Sequence, residues 1–112
     1  MCLFCKIASK QIPAKVAFED EDVLAFHDIN PAAPTHLLVI PKQHIASLVE
    51  TTLEHQALLG KLLLAARRAA IEAGLDESGF RVVVNSGPDA GQSVFHLHVH
   101  VIGGRPMAWP PG

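Results

Sequence analysis

The stretch Phe95–Ile102 alternates histidine with aliphatic residues, and this alternation constrains the fold more than any other feature of the sequence. Successive side chains of a β-strand point to opposite faces, so His96, His98 and His100 would line one face while the residues between them enter a core. A single strand histidine is usually structural, but packing does not require three imidazoles spaced roughly 6.6 Å apart along one face. The pattern predicts a half-buried strand that carries a chemical site.

Apolar periodicity and turn residues divide the rest of the chain into elements. The predicted elements are a short helix over residues 3–9, strands Val16–Glu19, Val23–Asp28 and His36–Ile40, a long helix ending at Ala73, and a strand Arg81–Asn85. The sequence Thr51-Thr52-Leu53-Glu54 has the form of a capping box, which predicts Thr51 as the N-cap of the long helix, and Gly74 suits the position after its end.

The order of these elements predicts the α+β class. Short early connections favour a mainly antiparallel five-stranded sheet that is covered by one long helix, with a short N-terminal helix beside it. The chain has 112 residues and no linker, repeat or low-complexity segment, so residues 1–112 are predicted to form a single domain.

The composition argues against several partners. Formal net charge is −2, aromatic residues are 5% of the chain, and Arg67-Arg68 is the only basic pair, so a nucleic-acid partner is not expected. No apolar run reaches the roughly 20 residues that span a bilayer, and the N-terminus lacks the form of a signal peptide. We therefore expect a cytoplasmic protein without a membrane partner, whose two cysteines are reduced.

A glycine-containing loop, residues 85–93, leads into the histidine strand. It brings glycines, an amide and a hydroxyl close to the first histidine. Backbone N–H groups that a ligand can approach closely, together with side-chain donors, are what a phosphate group requires. The histidines could ligate Zn²⁺, or a neutral imidazole, whose reference pKa is about 6.5, could attack phosphorus as a nucleophile. The loop favours the nucleophile.

A second chemical signal is the pair Cys2 and Cys5, which are separated by two residues. Such a pair can be a redox couple, but the thioredoxin-like motif follows a strand, and none is predicted before Cys2. It can also be half of a zinc site, in which His44 and His96 would complete a tetrahedral set of two sulfurs and two nitrogens.

The run Gly91–Gly104 resembles the signature of the histidine triad (HIT) family, and most of all its nucleotide-binding branch, whose members are purine nucleoside phosphoramidases. Three further blocks follow the same order: Ala25–Ile29 with Pro31, Pro34–Lys42 and Trp109–Gly112. The resemblance covers nearly the whole chain. It implies a HIT-like fold and a hydrolase that cleaves AMP- or GMP-linked phosphoramidates.

The resemblance also implies catalytic roles. His98 would attack the α-phosphorus and form a nucleotidyl-histidine that water hydrolyses, with its Nδ1–H held by a main-chain carbonyl. His36 would orient the triad, and Ser93 would contact the leaving group. The phosphate would be bound by His100, Asn85 and the backbone of Gly91, Gln92, Ser93 and Val94.

The remaining implied contacts concern the nucleoside. Asp28 would bind the ribose hydroxyls through its two carboxylate oxygens. An apolar slot for the base would be formed by Phe4, Ile7, Ile12, Phe26, Ile29 and Leu38, although each of these six also fits a plain core position. His27 and His55 receive no role, and a surface position is expected for His55.

Some relatives carry a structural zinc held by an N-terminal Cys-x-x-Cys, a histidine after the Pro-Lys pair and the first triad histidine, which implies Cys2, Cys5, His44 and His96 as ligands here. We also expect a homodimer, because the apolar stripe from Leu58 to Ala66 is wider than one small sheet can cover, and Trp109 suits an interface anchor. Two alternatives remain open: a zinc hydrolase whose metal is held by His36, His98 and His100, and a nucleotide-binding scaffold whose output is a protein contact.

Overall fold

The structure is a computed structural model that describes residues 2–112. Two helices are present, α1 (Leu3–Ala8) and α2 (Gln56–Glu72), and two 3₁₀ turns, Leu48–Glu50 and Leu53–His55, precede α2. The five strands are β1 (Val16–Glu19), β2 (Val23–His27), β3 (Thr35–Pro41), β4 (Phe80–Val83) and β5 (Val99–Gly103). They form one sheet in the order β1-β2-β3-β5-β4, and every neighbouring pair is antiparallel. The predicted α+β class and its five-stranded sheet are confirmed.

The central strand β3 is apolar without interruption because both of its faces are covered. Leu37 and Val39 face α2, while Leu38 and Ile40 face α1 on the opposite side. Burying each of these side chains stabilises the fold by about 1.5–3 kcal/mol. The helix α1 thereby encloses a second, smaller core on the sheet face that α2 does not cover.

The long helix α2 approaches the sheet closely because small residues form most of its inner face. Its buried side chains are those of Leu62, Ala65, Ala66, Ala69 and Ala70. Along the same helix, Leu63 and Leu64 are 59% and 63% exposed. The stripe is therefore wider than the sheet face. Among the described residues, no helix is long and apolar enough to cross a membrane.

The predicted start of the long helix at Thr51 is wrong. The Thr51 hydroxyl donates to the Leu48 carbonyl at 2.7 Å and so belongs to the preceding turn. The long helix begins at Gln56, and its N-cap residue, His55, makes no side-chain cap hydrogen bond to it. The cap that is present belongs to the 3₁₀ turn Leu53–His55, where the Thr52 hydroxyl accepts from the Glu54 N–H and the His55 Nδ1 accepts from the Thr52 N–H at 2.9 Å. His55 thus closes the reciprocal cap that was assigned to Glu54. At the other end, Gly74 has a φ of +77°, as a residue following a helix often does.

The predicted strand Phe95–Ile102 is shortened at its N-terminal end, because β5 begins only at Val99. The β3–β5 ladder stops at the pair Val39 and Val99, and further along β3 stands Pro41, which has no N–H to donate to a ladder. The Leu97 N–H bonds instead to the Ile45 carbonyl at 2.6 Å. His96 and His98 therefore precede the strand. The predicted alternation of faces still holds, because Leu97, Val99 and Val101 lie in the core under α2, whereas His96 and His98 contact Phe4 on the opposite side and His98 and His100 line the cavity there. Most of the other predicted ends differ from the observed ones by one or two residues.

Candidate active site and metal centre

A cavity of about 850 Å³ opens between α1, strands β2 and β3, and the segment before β5. All six residues that were expected to form an apolar slot line it: Phe4, Ile7, Ile12, Phe26, Ile29 and Leu38. The rings of Phe4 and Phe26 meet edge to face at 5.5 Å and are buried, whereas Ile29 is 92% exposed and lies on the solvent side of the cavity. The volume falls within the range typical of sites for small organic ligands.

His98 reaches this cavity from the segment before β5, with its ring in edge-on contact with Phe4 at 5.2 Å. Its Nδ1 lies 2.7 Å from the main-chain carbonyl oxygen of His96. A carbonyl oxygen only accepts hydrogen bonds, so Nδ1 must carry the proton. In the neutral ring the lone pair is then on Nε2, and this tautomer is the one a nucleophilic histidine requires.

Three further residues form a hydrogen-bonded chain behind His98. The Ala32 N–H donates to the His36 Nδ1 at 2.9 Å, so the proton of neutral His36 is on Nε2. That Nε2–H donates to the His100 Nδ1 at 2.8 Å and lies 3.4 Å from a carboxylate oxygen of Asp28. Neutral His100 must therefore carry its own proton on Nε2. His100 also lines the cavity, where this tautomer can donate to a bound oxyanion.

The protonation state of His100 follows from its surroundings. Burial lowers its pKa to about 4, with further lowering by the neighbouring His98 and His36, while Asp28 acts in the opposite direction. The His98 and His100 rings lie only 4.9 Å apart, so two positive charges there would repel strongly. His100 is consequently a neutral hydrogen-bond donor at pH 7.

The loop residues divide into two groups. Ser93 and Val94 line the cavity beside His98, whereas Asn85, Gly91 and Gln92 do not. The Gln92 side chain accepts from the Gly87 N–H at 2.9 Å and donates to the carbonyls of Ala46 and Val94. It is thus turned into the protein, where it fixes the shape of the loop. Gly91, with a φ of +83°, allows the turn that delivers Ser93 to the cavity.

A second cluster lies on the other side of Phe4. The sulfurs of Cys2 and Cys5 and the Nδ1 atoms of His44 and His96 all lie within 4.8 Å of one another. The measured sulfur–nitrogen distances are 3.2–3.6 Å, and the two nitrogens are 3.2 Å apart. A tetrahedral Zn²⁺ with bonds of about 2.3 Å to sulfur and about 2.0–2.1 Å to nitrogen places two nitrogens, or a sulfur and a nitrogen, roughly 3.3–3.6 Å apart. The donor set and its spacing both fit this ion.

The comparison with known protein families agrees with this geometry. The model of the HIT domain matches residues 9–107, which is most of the chain. The chain belongs to the HIT family.

Individual relatives share both the sequence and the fold. The chain is 53% identical over 112 residues to a 14 kDa zinc-binding protein of Zea mays, covering 98% of this chain and 87% of that protein. It superposes with a TM-score of 0.98 on a HIT family hydrolase from Legionella pneumophila, which is 52% identical with full coverage of both chains. A histidine triad nucleotide-binding protein from Candida albicans is 32% identical, with a TM-score of 0.84 and coverage of 98% of this chain and 83% of that one.

In this HIT protein the two clusters meet at His96. Its Nε2 lies 2.8 Å from the Pro41 carbonyl oxygen and so carries the proton, which leaves the lone pair on Nδ1, directed at the two cysteines. Its own carbonyl oxygen is the acceptor that fixes the tautomer of His98. One fully buried residue therefore presents its ring to the metal cluster and its backbone to the cavity.

Three polar residues that line the cavity were given no role from the sequence: Lys15, His27 and Asn30. His27 lies between two predicted site residues, Phe26 and Asp28, and this position in the sequence is the feature from which its place at the cavity could have been predicted. The Asn30 N–H donates to the other carboxylate oxygen of Asp28 at 2.8 Å, which fixes the orientation of this side chain at the cavity. One oxygen of Asp28 is therefore fixed by a backbone N–H, while the other lies 3.4 Å from the His36 Nε2, whose proton is donated to His100.

Proposed function

We propose that this HIT protein hydrolyses nucleoside 5′-phosphoramidates, in which AMP or GMP is linked to an amine nitrogen, and that His98 is the nucleophile. One observation carries the proposal: the hydrogen bond from the His98 Nδ1–H to the His96 carbonyl leaves a lone pair on Nε2 of a ring that lines a nucleotide-sized cavity. The relatives named as a hydrolase and as a nucleotide-binding protein support the general class.

The residues around His98 suit a two-step transfer. In the first step Nε2 attacks the α-phosphorus, the phosphorus–nitrogen bond breaks, and the amine leaves after it takes up a proton from water. Positive charge on the His98 ring is stabilised by the His96 carbonyl. The His100 Nε2–H and the backbone of Ser93 and Val94 donate to the phosphoryl oxygens, whose charge is redistributed in the transition state.

In the second step a water molecule attacks the phosphorus of the nucleotidyl-histidine. The bond between phosphorus and Nε2 breaks, the nucleoside monophosphate leaves, and the lone pair returns to His98, while the proton lost by the attacking water returns to solvent and replaces the one that the amine took up. Asp28 binds the ribose hydroxyls, and the apolar slot takes the purine base. The Cys/His cluster binds Zn²⁺ as a structural ion, since its four protein donors leave no open position for water.

The alternative of a zinc hydrolase at His36, His98 and His100 has less support. His36 would need a free lone pair on Nε2, and this would move its proton to Nδ1, where the Ala32 N–H already donates. A metal at this position would therefore break the hydrogen-bond chain that orders the site.

We also propose a cytoplasmic homodimer. The exposed Leu63 and Leu64 of α2, Phe80 on the edge strand β4, and Trp109 at 81% exposure supply an apolar surface for a second copy. The same apolar surface is compatible with the alternative in which the protein is a nucleotide-binding scaffold that contacts another protein. A solution mass equal to one chain at micromolar concentration contradicts the dimer.

The activity is tested with a panel of AMP- and GMP-linked phosphoramidates, dinucleoside polyphosphates and nucleotidyl sulfates. We expect release of the nucleoside monophosphate from the phosphoramidates, with strong preference over the polyphosphates. Turnover of the phosphoramidates should persist when a metal chelator is added, whereas an enzyme that uses a metal-activated water would lose its turnover. Equal turnover of all three classes contradicts the proposed specificity, and absence of any turnover favours the scaffold alternative.

A further inference from the structure

The two cysteine thiols have no part in the proposed hydrolysis, yet they lie close to its site. Both are half-buried and free of disulfides. Cys2 is the N-cap residue of α1, and its sulfur accepts a hydrogen bond from the Cys5 N–H at 3.2 Å, so both thiols lie at the start of the helix. The sulfurs lie within 4.8 Å of each other, so a small movement brings them to bonding distance.

The helix α1 joins these thiols to the cavity. Phe4, between the two cysteines, is only 5% exposed, and its ring contacts both Phe26 and His98 at the cavity. Ile7, one turn further along, is 8% exposed and lines the same cavity. Any change that frees α1 from the Cys/His cluster therefore alters the apolar slot.

We propose that the Cys2–Cys5 pair is an oxidation site: a hydroperoxide converts the two thiolates to a disulfide, the Zn²⁺ is released, and the affinity of the cavity for a nucleoside monophosphate falls. This inference rests on the proposed function, because it requires the cavity to bind that nucleotide. It assigns a regulatory modification to thiols that the hydrolytic mechanism leaves unused.

The chemistry is balanced by the peroxide itself. Zinc ligation holds both sulfurs as thiolates, the form that attacks an oxidant. One thiolate attacks a peroxide oxygen, the oxygen–oxygen bond breaks, and a sulfenic acid and one water form. The second thiolate attacks the sulfenic sulfur and displaces hydroxide, which is protonated to the second water. Two electrons pass from the sulfurs to the peroxide, two protons are taken from solvent, and the disulfide sulfurs no longer hold Zn²⁺.

Loss of the ion leaves α1 attached by packing alone. His44 and His96 remain on the sheet side, while the cysteine side of the cluster is no longer tied to them. Couplings between two binding sites usually change affinity about 5–150-fold, and the change is reciprocal. We therefore expect AMP to bind about five-fold or more weakly to the oxidised protein than to the zinc-loaded protein, and bound AMP to raise the affinity for zinc by a similar factor.

The test uses the full chain loaded with one equivalent of Zn²⁺ and titrated with hydrogen peroxide. Released zinc is measured with a chromogenic chelator, the disulfide by the loss of two hydrogen masses, and AMP affinity by calorimetry. Zinc release and disulfide formation should rise together while AMP affinity falls, and dithiothreitol with added zinc should restore it. Hydrogen–deuterium exchange should increase mainly over residues 3–8.

Two controls separate this effect from other damage. Met107→Leu should respond to peroxide as the unaltered protein does, because the proposed effect does not depend on oxidation of Met107. Recovery with dithiothreitol argues against methionine damage as well, since that reagent does not reverse methionine sulfoxide. Reduced protein from which zinc has been chelated should show the same weakened AMP binding as oxidised protein, since both lack the tie between α1 and the sheet.

Three results overturn the inference. The first is that zinc and both thiols survive peroxide that oxidises a free dithiol. The second is that the oxidised protein binds AMP as tightly as the reduced one, and the third is that exchange rises evenly over the whole sheet. Equal AMP affinity in the two forms rejects this inference alone. Reduced, zinc-loaded protein that does not bind AMP at all rejects the proposed function as well.

Discussion

A single residue separates the two histidine clusters in sequence, since His96 belongs to one and His98 to the other, yet the clusters differ in the chemistry they support. In the Cys/His cluster, called the closed cluster below, four donor atoms lie within 4.8 Å of one another, and four is the number of ligands that fills a tetrahedral zinc site. In the cluster of His36, His98 and His100, called the open cluster below, the rings form hydrogen bonds to one another or to the backbone, and His98 and His100 face a cavity. The difference follows from the carbonyl that each ring N–H meets. The Pro41 carbonyl leaves the lone pair of neutral His96 on Nδ1, and the His96 carbonyl leaves the lone pair of neutral His98 on Nε2.

The largest effect is expected at the open cluster, from His98→Ala. This change removes the nucleophile itself, so turnover of a nucleoside phosphoramidate should fall by several orders of magnitude, measured as kcat at saturating substrate. His55→Ala serves as a matched control, since His55 only closes a cap on the 3₁₀ turn and its loss should leave kcat within about twofold. Near-normal turnover of the His98 variant would falsify the mechanism.

His100→Ala should give the second largest effect. Removing one preorganised donor to a transition-state oxygen typically costs about 10²–10³ in kcat, and His100 supplies its donor from Nε2. His100→Gln, which keeps an N–H donor at similar reach, should recover part of this loss. If both variants lose the same amount, the role of His100 is not hydrogen-bond donation.

The closed cluster should respond in the opposite way. Elemental analysis of protein purified without chelator should find about one zinc per chain, and Cys2→Ser with Cys5→Ser should abolish it. Because the ion ties α1 to the sheet, the double variant should melt several degrees lower, while kcat measured well below that temperature changes less. Ser9→Ala, on the same segment but outside the cluster, is the control. Zinc-free protein with an unchanged melting temperature would show that the thiols are merely small packed side chains.

The smallest expected effect concerns pH. His100 is flanked by His98, His36 and Asp28, and its pKa in the folded protein is about 4, below the ordinary value of 6.5. Between these values the unfolded chain binds more protons, so stability is lost as the pH falls from about 6.5 to 4. His100→Gln should flatten this dependence in urea titrations. The pKa values of Glu19 and Asp20 are also lowered, by hydrogen bonds to Lys10 and to the Asp22 N–H respectively. Their contribution to the pH dependence of stability is the same in both proteins, so it cancels when the two curves are compared. Parallel curves would contradict the shift.

Much of this comparison could be predicted from the sequence, because it depends on local pattern. The strands β1, β2 and β3 follow from their apolar runs and turns, and the spacing of Cys2 and Cys5 indicates a pair of ligands. The residues of the apolar slot, by contrast, are indistinguishable by pattern from ordinary core. They were expected together only through the resemblance to a family.

Other features depend on tertiary hydrogen bonds that no local pattern contains. His96 leaves the predicted strand because β3 ends in Pro41, whose carbonyl then receives the imidazole N–H. Gln92 turns inward to bond Ala46, far away in sequence. Each of these partners becomes available only once the chain is folded.

The central claim is that the open cluster forms a covalent bond to phosphorus and the closed cluster does not. It is tested most directly by acid-free rapid quenching of the protein with an AMP-linked phosphoramidate, followed by intact-mass analysis and localisation of the adduct by peptide fragmentation. The account predicts one adenylyl group per active chain, on His98, absent from His98→Ala and present in the zinc-free Cys2→Ser, Cys5→Ser protein. Turnover without an adduct, or an adduct on His96, His44 or a cysteine, would contradict it.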